Sequence, residues 1–458
     1  MDILKKNMQK LNTLLNHKTV YSMLSFIVYA GLEAAIILIL ARTFTKEIMG
    51  EWLLFYTGFF MLDRMTYGFH CSSLVRYLAG VKEERKAQNV IGSSWVIALI
   101  INSIFLIIMS AAFLIAKDMD IKTGFKILLI LYPLIAFIRI PFNTSLAILQ
   151  VKSQFKEIVA LRLLGMGIFV LAILTNYVFF DFNFNQIVGI FIASNLIGSL
   201  YPIFKGWSGI TDITRASVDT IKKLVNFGKF SMGTFLGATL LKDADVFLIG
   251  MFLTSQDVAL YGIPLKLIDA INVPISAFVA IALPKMCRAS HDGDNETVRQ
   301  LFYKNTGSIT LLFIPLLIGF AVFSQPFIYI FGGSQYIQTN EARNILLIFI
   351  IYGSILTIDR FSGVVLDSIN RPDYNFYKVL FMVVFNILGD LIALVFFKSL
   401  IGVALATVLN ALAGVIIGLY LINKEVNIKF MEMFHIGWIS IFTKLRSFKS
   451  SVKGGFAK

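Results

Sequence analysis

Residues 91–116 read IGSSWVIALIINSIFLIIMSAAFLIA, a run without a single Asp, Glu, Lys, Arg or His. A helix needs about 20 mostly apolar residues to cross the hydrocarbon of a bilayer, so this stretch predicts a membrane span on its own. Outward from it the same pattern recurs over roughly 19–41, 48–67, 124–148, 157–179, 185–204, 226–253, 257–284, 303–331, 341–366, 373–398 and 400–423. The expectation is an all-α polytopic membrane protein of about twelve transmembrane helices. The first span follows Lys5, Lys6, Lys10 and Lys18, as a signal peptide would. Its apolar run is too long for one, and no small-residue cleavage site follows it, so it reads as a span.

Composition excludes other classes. The 458 residues are 57% hydrophobic and 15% charged, against about 45–50% and about 25% in soluble domains. A water-soluble enzyme and a disordered or fibrous chain are ruled out. Cys71 and Cys287 form no spaced pair, and His17, His70, His291 and His435 are scattered, so neither a disulfide framework, a metal site nor a catalytic constellation is expected. No Gly-rich loop ends in Lys-Ser/Thr, so the chain carries no ATP-hydrolysing loop of its own.

The net charge of +14 reads as cytoplasmic loop charge rather than nucleic-acid binding. Most Lys and Arg residues fall in the N-terminus, the loops after even-numbered spans and the C-terminus. That count places Arg162 and Lys378 among loop cations. The opposite set holds only Arg42, Lys46, Lys117, Lys122, Lys126, Arg343 and Lys398. The asymmetry predicts both termini in the cytoplasm.

The organisation reads as a six-helix lobe over 1–207, a cytoplasmic linker over 208–225, a second six-helix lobe over 226–423 and a basic tail over 424–458. Residues 428–447 read as an interfacial helix on the inner leaflet. An internal echo supports two halves. Thr45-Lys-Glu-Ile-Met-Gly50-Glu-Trp52 lies between spans 1 and 2, and Thr254-Ser-Gln-Asp-Val-Ala259-Leu-Tyr261 between spans 7 and 8. Six spans per half make this a parallel repeat about an axis along the membrane normal. Gly233-x-x-x-Gly237 and Gly414-x-x-x-Gly418 suit close helix approach. Pro133 and Pro141 in span 4, and Pro264 and Pro274 in span 8, mark those spans as bent; Pro315 lies in span 9.

The informative residues are ionisable ones inside spans: Glu33, Asp63, Arg64, Arg139, Lys242, Asp243, Asp245, Lys266, Asp269, Asp359, Arg360 and Asp390. A charge at the bilayer centre costs at least about 2.5–3.5 kcal/mol, so these face a wet cavity or one another. Lys242 with Asp245, and Lys266 with Asp269, are three apart and share a helix face; each pair reads either as a structural bridge or as part of a site. Asp63-Arg64 and Asp359-Arg360, near the inner interface, suit structural or gating roles. Arg139 has no acid on its own helix, so its partner comes from another helix, from water or from an anionic ligand. Cations at mid-depth suit a phosphate or diphosphate, held by Lys as a point charge and by Arg bidentately. Lys242, Lys266, Arg139 and Arg64 are the substrate-binding candidates. Glu33, Asp245, Asp269, Asp63, Asp359, Arg360 and Asp390 are the ion-coupling or gating candidates, for H⁺ or Na⁺, with no other cofactor expected.

Thr45-Lys-Glu-Ile-Met-Gly-Glu-Trp-Leu-Leu-Phe-Tyr56, Leu62-Asp63-Arg64 and Ser73-Leu-Val-Arg76-Tyr-Leu-Ala79 resemble the start of the prokaryotic polysaccharide, or O-antigen (Wzx-type), flippases. Asp243-Ala-Asp245-Val-Phe-Leu-Ile-Gly250 and Asp257-Val-Ala-Leu-Tyr261-Gly-Ile-Pro-Leu-Lys266-Leu extend the resemblance. These flippases belong to the multidrug/oligosaccharidyl-lipid/polysaccharide exporter superfamily. The resemblance implies two six-helix lobes in a V around a central cavity lined by spans 1, 2, 7 and 8. It implies a location in the prokaryotic cytoplasmic (inner) membrane and translocation of undecaprenyl-diphosphate-linked oligosaccharide to its outer leaflet, with Glu33, Arg64, Lys242, Asp245, Lys266 and Asp269 at the cavity. Where the family usually has Asp followed by a small residue, this chain has Asp63-Arg64. The lipid II flippase branch carries two further C-terminal helices, so a chain of twelve spans points to the O-antigen or capsule branch. A polysaccharide polymerase and glycosyltransferases are the expected partners, and no nucleic acid. The alternatives are a drug or cation exporter of the same superfamily and, from another class, a membrane polymerase or glycosyltransferase. The latter needs a sizeable external loop for its reactive groups, which these short loops do not supply.

Overall fold

The computed structural model describes residues 18–79 and 81–456. Lys5, Lys6, Lys10 and Lys458 of the charge count lie outside the described residues, as do the surroundings of Gly233. Every regular element among the described residues is helical: α1 Lys18–Thr43, α2 Lys46–Leu78, α3 Glu84–Ala116, α4 Thr123–Val151, α5 Phe155–Phe179, α6 Phe184–Phe204, α7 Val218–Phe252, α8 Ser255–Asp269, α9 Asn272–His291, α10 Asn295–Val322, α11 Ser324–Gly332, α12 Glu341–Ser368, α13 Pro372–Val395, α14 Leu400–Val426 and α15 Phe430–Phe456. Two 3₁₀ turns, Ile210–Arg215 and Ser334–Tyr336, join them. α3–α6, α10 and α12–α14 are each long and apolar enough to cross a membrane, and the chain is a multi-pass membrane protein. α2 and α7 fall outside that set, and they carry Asp63, Arg64, Lys242, Asp243 and Asp245.

Each of the twelve expected spans coincides with one helix or with a broken pair. The breaks have a local cause. Proline cannot donate to the carbonyl four residues back, and its ring crowds that carbonyl. For Pro274 that residue is Ala270, where α8 gives way to α9. For Pro326 it is Val322, the last residue of α10. Pro133 and Pro141 instead lie inside a continuous α4.

The echoed motifs are paired helix starts. The Thr45 hydroxyl accepts from the Ile48 amide and caps α2. At the start of α8, the amide and hydroxyl of Thr254 donate to the Asp257 carboxylate at 2.8 and 2.6 Å, and the Asp257 amide donates back to the Thr254 hydroxyl. These are reciprocal caps that satisfy otherwise orphaned donors. The two starts also touch. The Ser255 hydroxyl donates to Glu51 Oε1 at 2.6 Å, and Gln256 donates to Glu47. A Cβ at Gly50 would sit 1.7 Å from the Ser255 carbonyl oxygen, so glycine is what lets these backbones meet.

Close packing divides the chain into two compact units, Met1–Gly262 with Phe331–Gly333, and Ile263–Ile330 with Ser334–Lys458. This division falls after the 208–225 linker because α7 is built into the first unit. Phe247 packs at Gly58 of α2, and Leu54 packs at Gly250. The linker itself is clamped to α3. Trp95 Nε1 donates to the Ser208 carbonyl at 2.8 Å, and Asn89 donates to the Arg215 carbonyl while accepting from Ser217 and Thr220. The first unit's core is aromatic: Trp52 stacks on Phe169 at 5.6 Å, and Phe191 stands edge-on to Trp52 and Phe59, arrangements that ring quadrupoles favour.

In the second unit α14 packs on α12 and α13, and α10 packs on α15. That last crossing is glycine-to-glycine. A Cβ at Gly307 would lie 1.9 Å from the Met433 carbonyl oxygen, and one at Gly437 would lie 2.4 Å from the Gly307 carbonyl carbon. The segment read as interfacial is therefore a helix seated on α10. Trp438 and Ile439 of α15 remain exposed.

Candidate functional site

Successive residues on an α-helix point about 100° apart, so the adjacent charges Asp63 and Arg64 reach different neighbours. Asp63 faces α4. Arg139 donates to it through Nε and Nη2, both at 3.1 Å, and Asn143 Nδ2 adds a third bond at 3.0 Å. Arg139 Nη1 donates to Asn195 Oδ1 of α6 at 2.6 Å. Its guanidinium lies 5.0 Å from the Phe142 ring centre and 5.5 Å from that of Phe59. Both side chains of the pair are about nine-tenths buried. A bidentate, hydrogen-bonded and aromatic-flanked ion pair is the arrangement that makes buried charge tolerable. The partner that the sequence sought for Arg139 is thus Asp63 of another helix.

Arg64 faces α7 and pairs with Asp243. Asp245, two residues on, accepts from the Tyr261 hydroxyl of α8 at 2.5 Å. Arg162 of α5 donates to the Ser25 carbonyl of α1 at 2.9 Å and lies over the Tyr29 ring at 5.4 Å. Glu33, Arg64, Arg139 and Arg162 all lie within electrostatic reach of Tyr29. The first unit therefore gathers three arginines with acids from α1, α2 and α7. Lys242 and Glu33 are half-buried and engaged with neighbours.

Among the described residues of the second unit, the ionisable residues singled out inside spans fall at three places. Lys378 Nζ, almost fully buried, pairs with Asp359 Oδ1 at 2.7 Å and donates to Ser362 Oγ at 3.0 Å. Arg360, 100° round the helix, is exposed. Gly414 and Gly418 of α14 lie against this pair, where a Cβ would come within 2.8 Å of Asp359 Oδ1 and 2.3 Å of Ser362 Oγ respectively. Asp390 is fully buried; Asn386 Nδ2 donates to it at 2.9 Å, and Asn410 of α14 donates to Asn386 Oδ1 at 3.0 Å. Asp269 sits at the α8–α9 break, accepting from Asn272 at 3.1 Å. Lys266 is half-buried and engaged.

Two of these residues escaped the sequence reading. Arg162 and Lys378 were counted with the cytoplasmic loops, yet each lies inside an apolar span, and that position was the available signal. Among the described residues no cluster of His, Cys, Asp and Glu is arranged to hold a metal ion.

The family model for polysaccharide biosynthesis proteins matches residues 76–341, more than half of the chain. The chain belongs to this family. A second model, that of the lipid II flippase MurJ, matches residues 257–447 and so runs into α15. Among curated relatives of this polysaccharide biosynthesis protein, the probable low-salt glycan biosynthesis flippase Agl15 of Haloferax volcanii is 26% identical over 252 residues, which is 55% of this chain and 52% of that protein. The teichuronic acid biosynthesis protein TuaB of Bacillus subtilis is 26% identical over 158 residues, 34% of this chain and 32% of that one. The aligned part thus spans about half and about a third of these relatives. The fold is similar to that of a multidrug resistance MATE family transporter of the MOP superfamily, solved in an inward-facing conformation, with a TM-score of 0.70 at 16% identity over 86% of this chain and 94% of that one.

Proposed function

We propose that the protein is a flippase that moves undecaprenyl-diphosphate-linked oligosaccharide from the inner to the outer leaflet of the cytoplasmic membrane by alternating access, in synthesis of a surface or exported polysaccharide. The observation that supports this reading is the presence of Arg64 and Arg162 inside the helices of the first unit, Arg162 over the Tyr29 ring and Arg64 against Asp243 of α7, in a member of the polysaccharide biosynthesis family. Arginines inside spans are costly to bury, and a diphosphate is a ligand class they are suited to bind. Arg139 is committed to Asp63, so its role is to hold α2 and α4 in place. Arg64, Arg162 and Lys242 are the head-group candidates of the first unit, and Lys266 is that of the second. The protein is a transporter and not an enzyme. Its partners are the polymerase and glycosyltransferases that use and make the lipid-linked glycan.

Directed transport is coupled to H⁺ or Na⁺ at a buried carboxylate. Asp390, fully buried and accepting from Asn386, which Asn410 holds in turn, is the coupling candidate of the second unit. Asp245, which accepts from Tyr261, and Asp269, which accepts from Asn272, are the gating candidates.

The test is complementation in cells lacking the protein. Lys266→Ala should insert normally and lose export of the glycan. Normal surface glycan in that variant removes Lys266 from the site. Loss of drug efflux with intact glycan export in the deletion strain would support the drug-exporter reading instead.

A further inference from the structure

Away from the charged cluster, the first unit contains a cavity of about 450 Å³ walled by α2, α3, α4 and α7. This volume lies in the lower half of the about 300–1,000 Å³ range of small-molecule sites. Its wall is apolar and includes Met61, Met109 and Met251, flexible side chains that adapt to an irregular guest. Met251 is 65% exposed, so the cavity opens to the surroundings beside the C-terminal end of α7. Its only charged lining residues are Asp120 and Lys122 of the α3–α4 connection, which form one end.

Three features identify the occupant. The mouth at Met251 lies beside α3 and α4, each long and apolar enough to cross a membrane, so lipid is the medium next to it. Along α4 the lining runs from Lys122 to Leu129, about 10 Å at 1.5 Å per residue, which fits within the about 15 Å hydrocarbon depth of a single leaflet. The polar end pairs one cation with one anion, which complements a zwitterionic head group and repels neither half of it; a diphosphate would meet Asp120 as a like charge.

We propose that this cavity holds one acyl chain of a phosphatidylethanolamine-type lipid, whose phosphate lies by Lys122 and whose amine lies by Asp120. Loop charge places the α3–α4 connection at the outer face, so the lipid belongs to the outer leaflet. It is a resident wedge between α4 and α7, distinct from the transported glycolipid.

The test is native mass spectrometry of the full chain released from nanodiscs containing equal parts phosphatidylethanolamine, phosphatidylglycerol and undecaprenyl phosphate. The wild type should retain one phosphatidylethanolamine in preference to the other two. Leu129→Trp, which fills the cavity, should reduce that occupancy at least tenfold, and Asp120→Lys should shift retention towards phosphatidylglycerol. Met251→Trp, at the exposed edge of the wall, reads the same loss with little disturbance of buried packing, which covers failure of Leu129→Trp to fold. Retention of undecaprenyl phosphate in place of phosphatidylethanolamine overturns the proposal, as does unchanged occupancy in the filled variants. Because lipid occupancy is measured and not flipping, the result stands apart from the transport reading.

Discussion

Replacing Arg139 by Gln is the perturbation with the most consequence for the first unit. It removes both 3.1 Å bonds to Asp63 and leaves a carboxylate with 8% side-chain exposure held by Asn143 alone. Breaking one partner of a buried pair costs about 3–5 kcal/mol, most of it the unpaired charge left behind. Changing Asp63→Asn at the same time removes that charge while keeping groups that hydrogen-bond, so the double variant should lie within about 1–2 kcal/mol of the wild type. Asp63→Asn alone strands the buried guanidinium at a similar cost, so the coupling energy of the cycle should exceed the about 0.5–3 kcal/mol range usual for contacting residues. Unfolding in detergent, followed by tryptophan fluorescence, measures it directly. Trp52 is fully buried on the same helix as Asp63 and stacks on Phe169, so it reports the loosening of α2. Additive effects of the two substitutions, or a loss under about 1 kcal/mol for Arg139→Gln alone, would refute the argument. If Arg139 serves only to hold helices, the double variant also retains transport.

Other consequences can be checked separately. Lys378→Met should destabilise the second unit by about 3–5 kcal/mol by stranding Asp359, and the loss should fall when Asp359→Asn is added, read by the same unfolding assay. Gly307→Leu should detach α15 from α10, because its Cβ has no room beside the Met433 carbonyl; a cysteine cross-link between the two helices should form in the wild type and fail in the variant. Asp294, which caps α10, has its carboxyl held below its usual range because the Thr297 hydroxyl and amide donate to it. A depressed folded value means that the cap's contribution is complete above the unfolded value of about 3.9 and is lost as pH falls through the folded one. Proteolysis near residues 292–300 should therefore rise on acidification in the wild type, and should not depend on pH in Asp294→Asn.

The helices were legible because hydropathy reports the solvent of a span directly. The twelve apolar runs could be placed without knowing any contact, and Pro264 with Pro274 marked the span that breaks. The echo around Thr45 and Thr254 was legible as a pattern, but its cause was not, because a cap shows only when the backbone turns at it. The charges were legible as residues and illegible as pairs. Asp63 and Arg64 are neighbours in sequence, yet they answer to Arg139 and to Asp243, and a local pattern carries no information on such distant partners. Loop counting misread Arg162 and Lys378 for the opposite reason: a cation near the end of a span is usually solvated, and only the packing of α1 on α5, or of α14 on α12, shows that these two are enclosed. The seat of α15 on α10 rests on Gly307 and Gly437, and neither glycine stands out among the 32 in the chain.

The most direct test of the transport reading uses the purified protein in liposomes loaded with a fluorescent undecaprenyl-diphosphate oligosaccharide, with a membrane-impermeant quencher added outside. The account predicts that quenching passes beyond the outer-leaflet half of the probe in the presence of protein, and that it does so more slowly with Arg64→Ala or Lys266→Ala. Quenching that stops at the outer leaflet whatever ion gradient is imposed would contradict it.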